Sequence, residues 1–238
     1  MSPRTGLLVT AAFLLFLAHT ASGESPAGSL QDAFGLTNNL PLKEIAPGVF
    51  QLGKVRFDKK ERTVSFPSAI NQTEGAIEYL IVTSYGKTHE SLLSTDAEPY
   101  HIQLALLLLG AHGSGTNAFP ESEARPLPGD PVTLELRWKS NGKEKHARPE
   151  EFVYNLRSKS MMTKGDWIYN GSRVVEGGFV AQQIGSIVSV MVDPDAMFNN
   201  PRPGREDDKI WQVARKGLPP FGWPVEVVIR LRPAPIGQ

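Results

Sequence analysis

The chain has no cysteine among its 238 residues. This absence excludes disulfide bonds, a lipid-modified cysteine at a cleavage site, and zinc or iron-sulfur centres held by thiolates. A chain without disulfides must be stabilised by the packing of its core.

An excess of charge of either sign is also missing, because 25 Lys and Arg balance 25 Asp and Glu. A near-neutral chain offers no general field for nucleic acid or for an anionic membrane surface. The motifs G-x-S-x-G, G-x-x-x-x-G-K-[ST] and H-E-x-x-H are absent as well. The sequence therefore predicts no nucleic-acid partner and no cofactor, and it favours a protein that is not an enzyme.

The first 23 residues have the pattern of a secretory signal peptide. They contain one charge, Arg4, then an apolar stretch from Gly6 to Ala18, and then small residues up to Gly23. Thirteen apolar residues are fewer than the roughly 20 that a membrane-spanning helix needs. We therefore expect cleavage near Gly23, a periplasmic or secreted mature protein and no stable membrane span.

Removal of residues 1–23 leaves 24 Lys and Arg against 25 Asp and Glu, a net charge of −1. Residues 24–42 are small, polar and rich in turn formers, which predicts a flexible tether. Residues 43–238 are long enough for a single β-rich domain with a continuous core.

Alternating apolar and polar residues predict most of the secondary structure as strands. Val55 and Phe57 alternate with charged residues before a charged turn, and a second such strand follows the turn. Residues 132–139 alternate up to Asn141-Gly142, which is a strong hairpin signal. Further strands are predicted in DWIYNGS, SIVSVMV and PVEVVIRLR.

Only one segment, Pro99 to Leu109, has the features of a helix. Pro99 suits the first helical position, and Gly110 suits the stop. Every residue from Ile102 to Leu109 except Gln103 is apolar, so this helix should lie in the core. The predicted fold class is α+β and β-dominated, an antiparallel sandwich or partly closed barrel with one buried helix.

The stretch AIEYLIVTSYGKTHESLL is predicted to form a hairpin that turns near Gly86, where glycine is free to take a positive φ. Pairing outward from that turn places His89 and Ser91 on one face of the second strand and Glu90 on the other. Both faces of the partner strand are apolar, so these polar groups must be paired or shifted toward neutrality.

Two interpretations of this polar triplet remain open. It is either a buried network that organises the core, or a binding or catalytic site, where perturbed groups tend to cluster. The candidate binding residues are His89, Ser91, Glu90 and His101, which lies twelve residues after His89. An acid/base or metal-assisted enzyme using His89, Glu90 and His101 is the alternative, although two histidines without a third ligand predict no metal site.

Asp193 and Asp195 form a second candidate, because they lie on a loop followed by two asparagines. Clustered oxygen ligands could hold calcium, but the spacing misses the helix-loop-helix calcium pattern. Asp-Pro-Asp is also ordinary turn chemistry, and we favour a turn.

The run GAIEYLIVTSYGKTHESLLSTDAEPYHIQLALLLLGA resembles the bacterial YdjY-type domain family. The shared features are an E-Y strand, a G-K-x-H-E-S segment and a Pro-led apolar helix ending in L-L-L-x-G. DWIYNGS is similar to that family's W-x-x-x-G-S segment, so the resemblance covers most of the chain after about residue 43. The family is largely uncharacterised, and the resemblance implies no catalytic role for any residue.

Some relatives in that family are connected with iron-sulfur ferredoxin-like domains, so without cysteine a redox role here would require a partner protein. We expect an exported, non-catalytic binding or accessory module of the bacterial envelope. Its partner would be an envelope protein or a small ligand. A structural envelope protein, in which the triplet only organises the core, is a further hypothesis.

Overall fold

The computed structural model describes residues 42–114, 119–120, 123–176 and 178–232. The predicted signal peptide and all of the predicted tether except Leu42 lie outside the described residues. Two α-helices, α1 (Pro99–Leu108) and α2 (Val180–Ile184), and two 3₁₀ turns, Thr88–Glu90 and Pro149–Phe152, accompany the strands. The strands are β1 (Leu42–Ala46), β2 (Val49–Leu52), β3 (Val55–Asp58), β4 (Thr63–Ile70), β5 (Tyr79–Thr83), β6 (Ser91–Thr95), β7 (Asp130–Ser140), β8 (Lys143–Ala147), β9 (Val153–Asn155), β10 (Ser160–Met161), β11 (Trp167–Tyr169), β12 (Val174–Val175), β13 (Gly178–Phe179), β14 (Ser186–Ser189), β15 (Phe198–Asn199), β16 (Trp211–Val213) and β17 (Pro224–Leu231).

Eight strands close into a barrel in the order β4-β17-β7-β11-β15-β14-β5-β6, and β6 pairs back to β4. Strands β1, β2 and β3 extend this sheet from β4 as an antiparallel meander, and β8 pairs with β7. Strands β10-β9-β16 and β12-β13 form two further small sheets that are separate from the barrel sheet. The predicted β-dominated α+β class is therefore confirmed, and of the two predicted architectures, sandwich or partly closed barrel, the structure has the barrel.

Strand β4 changes its partner halfway along its length. Ser65 pairs with β3, whereas Ala69 pairs with β6. Pro67 lies between these two pairings, where the missing N–H of proline removes no ladder bond. Its carbonyl accepts a hydrogen bond from the Thr95 hydroxyl at 2.5 Å. One strand thereby serves both the barrel and the meander.

Alternate residues of the long strands fill the barrel interior. The inward residues of β4, β7 and β17 are almost completely buried, as period-2 patterning requires. Trp167 and Tyr169 of β11 add aromatic volume, and the Tyr169 ring packs 5.3 Å from that of Phe198. Burial raises the pKa of Tyr169, whose hydroxyl donates to Gln103 of α1 at 2.7 Å.

Helix α1 confirms the predicted buried helix. Pro99 begins it, and Gly110, with a φ of +77°, ends it in the left-handed conformation. Most of its residues are buried, although Leu107 is 42% exposed. Across the described ranges, no helix combines the length and apolar character that a membrane crossing requires.

Two of the three predicted hairpins are confirmed. The β3–β4 pair brings Phe57 opposite Val64, and the β7–β8 pair brings Ser140 opposite Lys143. Asn141 and Gly142 close the second of these hairpins with φ values of +51° and +72°. Positive φ at both central residues is the signature of a type I′ turn.

The predicted antiparallel pairing of β5 and β6 is wrong, because these strands are parallel. Tyr79 lies beside Ser91, and Thr83 lies beside Thr95. Between the two strands, residues 84–90 carry the chain back along the length of β5. Parallel neighbours usually need a longer crossover, and a short apolar run has the same sequence pattern in either direction.

Helix α2 was not predicted. It has only five residues and ends at Gly185, whose φ is +76°. A helix shorter than two turns carries too few positions for a 3.6-residue period to be recognised. It packs against α1.

A buried carboxylate links three distant segments of the chain. Glu150 has no exposed surface, and its Oε1 accepts from Arg202 at 2.8 Å, from Arg148 at 2.6 Å and from the Trp167 indole at 3.2 Å. The Arg202 guanidinium also lies over the Trp167 ring, 5.0 Å from its centroid. Burial lowers the pKa of Arg202, and the charge of Glu150 opposes that effect.

Substitution of Glu150 by Gln should destabilise the fold strongly. The change leaves the buried Arg202 without a counter-charge, and breaking such a pair costs about 3–5 kcal/mol in the free energy of unfolding. Urea denaturation followed by tryptophan fluorescence measures this cost. The matched control is Glu144→Gln in the exposed strand β8, which should change stability by no more than about 0.5 kcal/mol. Equal effects of the two substitutions would contradict the assignment.

Candidate functional site

Residues 84–90, the connection from β5 to β6, are fixed to the strands at both ends. The Ser84 N–H donates to Thr95 at 2.9 Å, and the Glu78 N–H donates to the carbonyl of Glu90 at 2.9 Å. The Asn71 side-chain amide donates to two carbonyls, those of Thr88 at 2.5 Å and Ser91 at 2.7 Å. Side chains on this connection are therefore presented from a well-anchored backbone.

Gly86 allows a close approach of two backbone segments in this connection. An added Cβ would lie 3.1 Å from the carbonyl oxygen of Gly185 and 3.2 Å from Cβ of Val82. Gly86 is not among the glycines with positive φ. The expectation that glycine supplies a positive φ here is wrong, because the backbone instead packs against the end of α2.

Lys87 lies at the centre of a group of polar side chains. Its Nζ is 3.1 Å from the Tyr79 hydroxyl, 3.4 Å from Oε1 of Glu90 and 3.8 Å from Oε2 of Glu78. The ammonium group also lies 4.9 Å from the centroid of the Tyr79 ring. We call Glu78, Tyr79, Lys87, Glu90 and Asp193 the Lys87 cluster.

The Tyr79 hydroxyl connects Lys87 to Asp193. It donates to Oδ2 of Asp193 at 2.9 Å and accepts from Lys87. Burial and the charge of Asp193 raise the pKa of Tyr79 to about 12. Desolvation lowers the pKa of Lys87, but the Tyr79 hydroxyl and Glu90 outweigh it, so the net pKa is raised. At neutral pH the cluster therefore holds a neutral phenol and an ammonium ion.

The Glu78 carboxylate responds to the charges of two neighbours in the cluster. Burial raises its pKa, the nearby charge of Glu90 raises it further, and Lys87 opposes both effects. Glu78 and Glu90 pair with the one ammonium ion and Asp193 is joined to it through Tyr79, so the cluster contains three carboxyl groups and one cation.

Substitutions around Glu78 should move its pKa in opposite directions. Glu90→Gln removes a like charge and lowers the pKa of Glu78, whereas Lys87→Met removes the neutralising cation and raises it. Titration of the ¹³C carboxyl shift of Glu78 measures both changes. Shifts of the same sign in the two variants would contradict the geometry of the cluster.

His89 and Glu90 lie in the 3₁₀ turn just before β6 rather than within a strand. The prediction that strand alternation places them on opposite faces is wrong for this reason. Nε2 of His89 is 3.8 Å from Oε2 of Glu90, and the two side chains are 78% and 21% exposed. The structure therefore brings this pair together at the surface, beside Lys87.

Ser91 and His101 lie elsewhere. Ser91 is fully buried and donates its hydroxyl hydrogen bond to the carbonyl of Leu93 at 2.8 Å. His101 is buried in the first turn of α1, beyond the far end of β6. A strand of five residues is about 16 Å long, so the four predicted residues do not share one cleft. Nowhere in the described ranges do three or more His, Asp or Glu side chains form a group that could hold a metal ion.

The segment Asp193-Pro194-Asp195 forms a turn, as favoured from the sequence. Oδ1 of Asp193 accepts the N–H of Asp195 at 2.9 Å, and its carbonyl accepts the N–H of Ala196 at 3.1 Å. The Asp195 carboxylate is paired with Arg173. Asp193 therefore stabilises its own loop with one carboxylate oxygen and reaches Tyr79 with the other.

Sequence reasoning missed Glu78, Tyr79, Lys87 and Asp193 as members of one site. Glu78, Tyr79 and Lys87 all lie within the stretch AIEYLIVTSYGKTHESLL. The antiparallel pairing predicted for this stretch gave no reason to place the three side chains in one site. Asp193 lies 114 residues from Tyr79 along the chain. No local pattern could have linked the two, because the contact depends on the pairing of β5 with β14.

These features define a β-barrel domain with a polar cluster beside a short parallel crossover. The YdjY domain family matches residues 55–230, and the chain belongs to this family. The match confirms the resemblance drawn from the G-K-x-H-E-S and W-x-x-x-G-S segments. Comparison with curated proteins and with solved structures found no match of either kind.

Proposed function

We propose that this YdjY domain is an exported, non-catalytic binding or accessory module of the bacterial envelope. The proposal assigns its contact surface to residues 84–90 and the Lys87 cluster. His89 and Lys87 supply its exposed groups, and Glu90 is largely buried beside them. Ser91 is buried at the start of β6, directly after Glu90, and His101 takes no part in this surface.

The protonation states in the Lys87 cluster are the observation that carries the proposal. A general acid or base works best when its pKa lies near the operating pH. The pKa of Tyr79 is raised to about 12, and that of Lys87 is raised from an already high value. Groups held in one protonation state are suited to presenting a fixed pattern of charge and hydrogen bonds to a partner.

Exposure of the connection supports a surface role for this site. His89 is 78% exposed and Lys87 is 49% exposed, although the backbone that carries them is hydrogen-bonded at both ends. An ordered backbone lowers the entropy lost when exposed side chains bind a partner. Similar side chains on a free loop would bind at a greater entropic cost.

The alternative function is an acid/base or metal-assisted enzyme using His89, Glu90 and His101. The His89–Glu90 contact is its motivation, because a carboxylate can orient an imidazole. His101 does not approach this pair, since β6 separates them. This alternative predicts that Glu90→Gln abolishes an activity without changing the affinity for a partner.

Export is tested with the full chain in a bacterial host. We expect the mature protein in the periplasmic fraction or the medium, shortened by about 23 residues when its intact mass is measured. A chain that lacks residues 1–23 is the control and should remain in the cytoplasm. Full-length protein retained in the cytoplasm would contradict export.

Partner binding is tested by photocrosslinking from position 89. A benzoylphenylalanine at this position in the exported protein should give a discrete adduct in envelope fractions. The purified domain should displace the adduct, whereas the Lys87→Glu variant should not, because its central charge is reversed.

Position 146 offers a matched control for the crosslinking. His146 is 75% exposed, and its Nδ1 lies 3.7 Å from Oε2 of Glu135. The two residues form a similar His–Glu pair that lies outside the Lys87 cluster. Crosslinking from position 146 should give no such adduct. Equal adducts from both positions, or none from position 89, would contradict the assigned surface.

A further inference from the structure

His101 is a buried histidine that the Lys87 cluster does not use. Its side chain belongs to a residue only 7% exposed, and among the described residues neither ring nitrogen has a hydrogen-bond partner. A buried polar group without a partner is costly, and a buried charge without one is more so. The site therefore accommodates a neutral imidazole far better than an imidazolium ion.

Gly53, a residue without a side chain, lies directly against the ring. Gly53 is exposed to solvent, and a Cβ added there would lie 2.7 Å from Nδ1 and from Cε1 of His101. Gly53 belongs to the tight turn between β2 and β3, with a φ of +56°. On this side, the exposed turn lies between the imidazole and solvent.

The groups that face His101 offer little compensation for a positive charge. On its own helix, Glu98 raises the pKa, but its carboxylate is already bonded to Gln182 of α2. The centroid of the Tyr100 ring lies 4.1 Å from that of the His101 ring, and this neutral side chain supplies no negative charge. His101 is also in the first turn of α1, where the helix dipole disfavours a cation.

The β2–β3 turn contributes no free acceptor either. The carbonyl of Gly53 is bonded to the Gln51 side chain at 2.6 Å. Lys54 is a cation, held by Asp96 at 3.1 Å in an exposed ion pair. The inward residues of β3 and β4, which pack on α1, are apolar except Ser68, whose hydroxyl donates to the carbonyl of Ser94 at 2.7 Å. Burial accordingly lowers the pKa of His101 from its ordinary value of 6.5.

From this geometry we propose that the β2–β3 turn is a proton-sensitive lid, closed over neutral His101 and released when the imidazole takes up a proton in mildly acidic surroundings. Release hydrates the ring and exposes the start of α1. The closed state binds fewer protons than the open state, so its stability is complete above pH 6.5 and is lost as the pH falls below that value. The lid is independent of the proposed partner surface.

Hydrogen exchange of the wild-type protein at pH 7.5 and pH 5.5 tests this lid. After correction for intrinsic exchange rates, amides of residues 49–58 and of the first turn of α1 should exchange up to about tenfold faster at pH 5.5. Amides of β7 and β17 provide an internal reference and should keep their protection. Unchanged exchange in residues 49–58 would overturn the proposal.

His101→Leu should remove the pH dependence and leave the lid closed at both pH values. The control His146→Gln changes an exposed histidine and should retain the wild-type response. A response in His101→Leu equal to that of the wild type would overturn the proposal.

An NMR titration of His101 in the wild-type protein provides a test that needs no variant to fold. Its ring must titrate below pH 6.5, in step with the shifts of the Gly53 amide. A ring that titrates at or above 6.5, or without change at Gly53, would overturn the lid.

Discussion

The pairing of β4 with β6 is the constraint on which the rest of the barrel depends. Only the last residues of β4 are free for it, because its first half is already paired with β3. For β6 to fill the gap between β4 and β5, it must run parallel to β5. Residues 84–90 must therefore return along the whole length of β5 in one compact path. The backbone contact at Gly86, the 3₁₀ turn and the Asn71 hydrogen bonds all serve that return.

The Lys87 cluster is a consequence of the same path. A hairpin would have carried Lys87 away from the start of β5, whereas the parallel return brings it back beside Tyr79 and Glu78. Pairing of β5 with β14 then brings in the loop that holds Asp193. Burial and the charge of Asp193 raise the pKa of Tyr79 and keep it protonated, while the pKa of Glu78 responds to the opposing charges of Glu90 and Lys87. The proposed partner surface thus has a defined charge pattern set by the closure of the barrel.

Much of the fold could be predicted from local patterns. Alternation located the strands around Phe57 and Leu134, the Asn141-Gly142 pair located its turn, and the proline and glycine around α1 located the helix. These predictions succeed because each depends on interactions between residues that are close together in the sequence. The predicted direction of β6 was wrong because the sequence of a five-residue strand does not fix whether it pairs parallel or antiparallel, and α2 was missed because five residues show no helical period. Of the site, His89 and Glu90 were named as candidates but were predicted on opposite faces of a strand, and Ser91 and His101 were assigned to a group from which the structure separates them.

The sequence alone determined that the chain lacks thiol chemistry, builds a β-rich core and carries one apolar helix, since composition and short-range periodicity are properties of neighbouring residues. It also carried enough of the family's segments for membership of the YdjY domain family to be inferred. Only the tertiary structure decided that Tyr79 meets Asp193, that Glu150 gathers two arginines, and that Gly53 covers His101. These contacts join residues far apart in the chain, and they exist only because the barrel closes and excludes water around them.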